Sequence, residues 1–271
     1  MFQRPLQRIL FELTCGIYTG ALAIVGVALV TSTGYFSHIS LATACLDFLF
    51  GVALAITRDD LAELLVRTRL YLVFSFGPFF VYLISDVVTV FSTSSDSTVL
   101  QNWIAEDLLL TIAGFFLYIT AMNHYAVILR RHEEALIEWF GRPNTSYIRL
   151  IRLLSIVGGL IFLVSGFILH ISIGPIQGLF PSIGGALLGN ALIIGKSKHY
   201  TLFESGLLVK RRGTLNNRFI SRHQLRSVKC DADVLTLYRG LPWPVPFRCT
   251  LTSIPNAKSV IHSLQKHING D

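Results

Sequence analysis

The chain has 271 residues, of which 52% are hydrophobic and only 14% charged, with 19 Phe and a mean hydropathy of +0.58. So few charges cannot cover so apolar a chain in water, which excludes an ordinary soluble globular protein and points to an integral membrane protein. The net charge of +7 is lopsided: residues 1–195 carry 10 Lys/Arg against 12 Asp/Glu, and residues 196–271 carry 13 against 4.

The N-terminal stretch MFQRPLQRILFELTCGIYTGALAIVGVALV joins a positive start to an apolar run. That run, at about 20 residues, exceeds the h-region of a secretory signal, and no cleavage site follows, so it reads as a retained first helix. Six windows are long enough to cross a bilayer: 11–33, 39–57, 70–91, 106–128, 150–171 and 173–195. The last contains Pro175 and Pro181, where a kink or a re-entrant start fits.

Charge placement orients these windows. The connections TSTGYFSHIS, STSSDSTVLQNWIAED and 170–174 hold no Lys or Arg, and all 23 basic residues lie in the N-terminus, the other two connections or the tail. The positive-inside rule then predicts a cell-membrane protein with both termini cytoplasmic. In the basic connection RRHEEALIEWFGRPNTSYIR, a surface helix is expected to continue the fourth span to Phe140 and stop at Gly141 and Pro143. Trp139 and Phe140 would then rest at headgroup level, although an ordinary solvated connector fits the same residues.

Polar groups inside spans are costly and are candidate functional sites. Asp47 falls near mid-membrane on the second span, Asp86 near the outer end of the third, His124 beside Asn123 on the fourth, and Asn190 on the sixth. A cluster of Asp47, His124 and Asn190 could carry a proton or cation, or could serve as hydrogen bonds between helices. Gly16 with Gly20, and Gly185 with Gly189, form GxxxG pairs that could close the bundle or make a dimer, packing within the chain being the preferred reading.

From His199 the pattern changes to alternation and turn chemistry. HYTLFE, LLVKRR, RFISRHQLRSVKC, VLTLYRG and FRCTLTSI read as five strands. PNAKSVIHSLQKHI reads as a helix starting at Pro255, with Val260, Ile261, Leu264 and Ile268 on one face. At YTLFESGLLVKRRG, FISRHQLRSV, VLTLYRG and the closing helix, this tail resembles the small PH-like domains appended to multi-span membrane proteins of bacteria and archaea, although it is shorter than a full PH domain. The resemblance implies a cytoplasmic interaction or scaffold domain at 196–271 following a transmembrane domain at 1–195, and names no ligand.

Lys210, Arg211, Arg212, Arg218, Arg222, Arg226 and Lys229 crowd one short stretch of the tail. Each basic group near an anionic leaflet is worth roughly 1 kcal/mol, so this run suits lipid headgroups or an acidic partner, and it is equally what positive-inside sorting leaves on solvated strands. Nucleic acid is not expected, because the aromatics occupy strand-core positions instead of interleaving the basic run. The corner LPWPVPF cannot be a central strand, and Trp243 and Phe247 on it either reach the interface or cap the roll.

Motifs for nucleophile elbows, phosphate loops, dinucleotides and zinc proteases are missing, and the scattered histidines do not suit a metal, so neither catalysis nor a cofactor is expected. Cys15, Cys45, Cys230 and Cys249 lack metal or scaffold spacing and read as free thiols. Two functions stay open: a scaffold or sensor that binds anionic lipid or a protein through the tail, and a small transporter or channel subunit using the polar residues of the bundle.

Overall fold

A computed structural model describes residues 3–31, 37–78, 80, 97–170, 179–214, 216–240 and 245–269. The chain divides into two compact units, Met1–Arg131 and His132–Asp271. Among the described residues, four helical segments are long and apolar enough to cross a membrane: Leu6–Val27, His38–Thr57, Leu109–His132 and Thr145–Gly166. Much of the expected third window, and residues 173–178 of the sixth, lie outside the described residues.

In the first unit, α1 (Gln3–Thr31) lies along α2 (His38–Thr57), followed by the short α3 (Leu61–Arg67), a helical stretch at 70–78, and α4 (Ser97–His132). The expected outer loop at 92–107 is therefore helical from Ser97 onward. Small residues set the α1–α2 approach. A Cβ on Gly16 would stand 2.8 Å from the Phe48 carbonyl oxygen, and one on Gly51 would collide with Thr19 Oγ1. Gly16 and Gly20 thus pack within the chain, as their spacing suggested, whereas nothing described lies within 4 Å of a Cβ on Gly185 or Gly189. Phe11, Tyr18, Leu110, Leu117 and Ala121 form the core of this unit. Leu46, Leu49 and Phe50 of α2 are more than 60% exposed. Water would not tolerate such a face on a folded helix, but hydrocarbon suits it.

The second unit begins with β1 (Ile137–Gly141), then a helical hairpin of α5 (Thr145–His170) and α6 (Leu179–Ile193). Asn144 caps α5, its Oδ1 accepting from the Ser146 and Tyr147 amides at 3.0 and 3.2 Å. Gly159 and Gly184 let the hairpin helices touch backbone to backbone; a Cβ on Gly184 would meet the Gly159 carbonyl oxygen at 2.8 Å. Six strands follow: β2 (Lys198–Leu202), β3 (Gly206–Arg211), β4 (Asn217–Ser221), β5 (Leu225–Asp231), β6 (Val234–Arg239) and β7 (Phe247–Thr250), and α7 (Ala257–Asn269) ends the chain. They make two antiparallel sheets, ordered β1-β2-β3-β4 and β5-β6-β7.

This corrects the expected surface helix over 130–140. The helix stops at His132, and residues 137–141 pair with β2 in the register Ile137↔Leu202 to Gly141↔Lys198. Trp139 is accordingly 4% exposed in the core of the roll and not at a headgroup level, while Phe140 points outward at 60%. The segment also continues across to the second sheet: the Thr250 amide donates to the Arg142 carbonyl at 3.0 Å and the Asn144 amide to the Arg248 carbonyl at 3.2 Å. Residues 137–144 therefore bridge the two sheets. The strand expected over RFISRHQLRSVKC is two strands, separated by a 3-10 turn at Arg222–Gln224 that Ser221 and Gln224 cap reciprocally. Val260 and Leu264 of α7 enter the core beside Trp139, Tyr200, Leu207, Leu237 and Phe247, and Ile261 and Ile268 pack against it, the face read from the sequence.

Candidate functional site

The site lies at one end of the four-stranded sheet, where the helical hairpin joins it. Gly141 leads toward α5, Lys198 follows α6, and the register aligns Gly141↔Lys198 and Lys198↔Arg211. Arg212, which follows β3, lies at the same end, its amide donating to the Ser197 carbonyl at 2.9 Å. Arg152 Nη2 would be 3.1 Å from a Cβ on Gly195, and Lys196 Nζ 3.4 Å from one on Gly213, so two further cations gather there.

Strand alternation sends the basic residues of this end to two faces. Outside, Phe140, Ser197, His199, Lys210, Arg212 and Gly213 line a cleft of about 680 Å³. The rings of Phe140 and His199 stack at 4.5 Å, and His199 Nε2 lies 3.4 Å from Glu138 Oε2, an ion pair when the imidazole is protonated. Lys210 and Arg212 are exposed. The cleft thus offers an aromatic floor with cations at its rim.

Inside, Lys198, Arg211, Arg218 and Arg239 fall on the strand faces that carry Tyr200, Val209, Ile220 and Leu237 into the core. Lys198 Nζ sits 4.8 Å above the Phe247 ring and Arg239 Cζ 4.1 Å from its centroid. Burial, with the like charges of Arg211, Arg218 and Arg239, pulls the Lys198 ammonium down to about 8. Burial and Arg218 bring Arg239 down to about 10, and burial lowers Arg211 as well. Arg239 donates from Nε and Nη2 to the Val245 carbonyl, at 3.0 and 2.5 Å.

The expected basic run is therefore divided. Lys210 and Arg212 face the cleft, Arg211 and Arg218 face the interior, and Arg222 belongs to the opposite end, beside the Gly206↔Ser221 pair. Trp243 lies outside the described residues, and Phe247 caps the roll at 8% exposure. Lys198, Arg239 and His199 escaped the sequence reading because strand register brings them together, whereas a local charge count sees neighbours in sequence alone; the sequence marks Phe140, but as a headgroup-level aromatic on a helix.

The intramembrane candidates have separate engagements. Thr19 Oγ1 donates to the Asp47 carbonyl at 2.7 Å, His124 stacks on Phe11 at 5.3 Å, and Asn190 of the second unit donates to Ser155 Oγ at 3.4 Å. Asp86 lies outside the described residues. Among the described residues no group of three His, Cys, Asp or Glu is placed to hold a metal.

No family model matches the chain, and no curated protein matches it. Among solved structures it is similar to the crystal structure of human RhoA in complex with the DH/PH fragment of PDZRHOGEF. That likeness has 11% identity and a TM-score of 0.23, covers 92% of this chain and 74% of the other, and is too slight to carry an argument.

Proposed function

We propose that the protein is a six-span membrane protein with both termini cytoplasmic, whose PH-like roll serves as a non-enzymatic scaffold or sensor by holding anionic headgroups of the inner leaflet. The observation that carries this reading is the register Gly141↔Lys198↔Arg211, which sets the basic end of the sheet at the exits of α5 and α6. A roll tethered through both helices cannot tumble freely, so Lys196, Lys210, Arg212 and the nearby Arg152 stay where a cytoplasmic leaflet would begin. The PH-like assignment draws support from the four-plus-three antiparallel strands closed by a C-terminal helix, with β1 supplying the strand that the tail lacks.

The test is photocrosslinking of the full chain in nanodiscs with headgroup-photoactivatable phosphatidylserine or phosphatidylcholine. Labelling of peptides from 196–222 by the serine lipid in clear excess supports the proposal, and equal labelling by both lipids refutes it. The alternative of a transporter or channel subunit has weaker support, since Phe11 stacks on His124 and Ser155 accepts from Asn190 as helix-packing contacts, while Thr19 meets Asp47 at its backbone carbonyl. An Asp47→Asn change that abolished an ion flux would favour it.

A further inference from the structure

We infer that the groove along one side of the α5–α6 hairpin, headed by Arg152, is a binding site for a long-chain carboxylic acid, with one acyl chain in the groove and its carboxylate on the guanidinium. The site lies wholly within the second unit and does not depend on contact between the roll and a leaflet.

Arg152 and Ile156 stand one turn apart on α5, and Leu188, Ala191 and Leu192 share a face of α6. Together they line a groove of about 410 Å³, a volume ordinary for small-molecule sites. The hairpin is tight below it. Gly159 accommodates Leu188, whose Cγ would be 2.8 Å from an added Cβ, and Gly184 meets the Gly159 carbonyl oxygen, so the helices touch backbone to backbone there. Nearer the roll they are joined through side chains, Asn190 donating to Ser155 Oγ at 3.4 Å, and Ala191 presents only a methyl group to the groove. α6 ends at Ile193, and Gly195 lets the Arg152 guanidinium lie across this exit, where Nη2 would be 3.1 Å from a Cβ.

The lining is chemically one-sided. Four of its five side chains are apolar, Leu192 is 81% exposed, and the fifth is a guanidinium. Among the described residues Arg152 has no carboxylate within ion-pair distance. A guanidinium at the edge of an apolar surface pairs best with a planar anion that accepts two parallel N–H bonds, and a carboxylate is such an anion. A neutral amphiphile would fill the groove and leave the charge unpaired. A two-chain lipid would find room for one chain only, because one column of side chains from each helix makes a single groove. The charge at one end and the width of the groove therefore select a single-chain anion.

The test irradiates the full chain in phosphatidylcholine nanodiscs with a diazirine-bearing palmitic acid and maps the label by mass spectrometry. Label is expected on residues 152–156 and 188–192, competed by palmitic acid but not by hexadecanol, its uncharged counterpart. Arg152→Gln should cut that label about tenfold, the scale of one charge-assisted pair, with the unfolding midpoint unchanged because the side chain is exposed. Leu192→Trp, which fills the groove from its open side and keeps the charge, should lower the label equally. Lys210→Gln with Arg212→Gln should leave the label intact even if it abolishes labelling by phosphatidylserine, so each proposal can fail without the other. Label as strong on the exposed Leu46, Leu49 and Phe50 of α2 as in the groove, equal competition by hexadecanol, or no change in Arg152→Gln overturns the inference. Equal groove labelling by a diazirine-bearing phosphatidylcholine overturns it too, since the occupant would then be an ordinary bilayer lipid.

Discussion

Trp139 and Tyr200 stack with ring centroids 5.1 Å apart and planes within 7°, and they are register partners on β1 and β2. One ring precedes the α5–α6 hairpin in the chain and the other follows it, so the core of the roll is assembled from both sides of that hairpin. The roll is consequently not built from the residues after that hairpin alone.

Trp139→Ala should destabilise the roll by about 3–5 kcal/mol, the cost of emptying a buried indole site. Denaturant unfolding of the full chain in detergent measures it. The same contact predicts that residues 196–271 alone lack a cooperative transition, whereas 132–144 joined by a short turn directly to 197–271 unfold cooperatively.

Gly51→Val should weaken the α1–α2 pairing by about 1–3 kcal/mol, because the new side chain would drive into Thr19 and the Cys15 carbonyl. Gly189→Ala on α6 provides the contrast: nothing described lies within 4 Å of the added carbon, and the unfolding midpoint should stay unchanged or rise. Comparing the two midpoints in one detergent tests whether helix approach, and not general glycine content, sets stability.

Lys198 gives the roll a pH dependence with a definite sign. Its folded ammonium loses its proton near 8, whereas the unfolded residue holds it to the ordinary 10.5. Between those values the unfolded state binds more protons, so stability rises with pH, and below 8 the full repulsion is present. Unfolding midpoints should therefore climb from pH 8 to pH 9, below the range where the buried Cys249 thiol, also raised by burial, acts with the opposite sign, and Lys198→Met should flatten that climb.

Much of this architecture was legible because its signals are local. Hydropathy marked the long helices, alternation marked the strand stretches HYTLFE and LLVKRR, which carry Tyr200, Leu202, Leu207 and Val209 into the core, and the spacing of Val260 and Leu264 gave the closing helix its buried face. Strand β1 was not legible. Five residues carry too little alternation to display a period, the preceding helix and Gly141 fit a helix end, and what makes Ile137–Gly141 extended is pairing with a partner some 60 residues away. The basic site was half legible for the same reason: Lys210 to Arg212 are neighbours in sequence, but Lys198 and Arg239 join Arg211 only through the register of the two sheets.

The central claim, that the hairpin end of the roll rests on anionic lipid, is tested most directly by amide hydrogen exchange of the full chain in nanodiscs. Slower exchange across β3, the following turn and β4 in phosphatidylserine-containing discs than in pure phosphatidylcholine, with α7 unchanged and the difference erased by high salt, is the predicted result. Identical exchange across 206–221 in the two discs would contradict it.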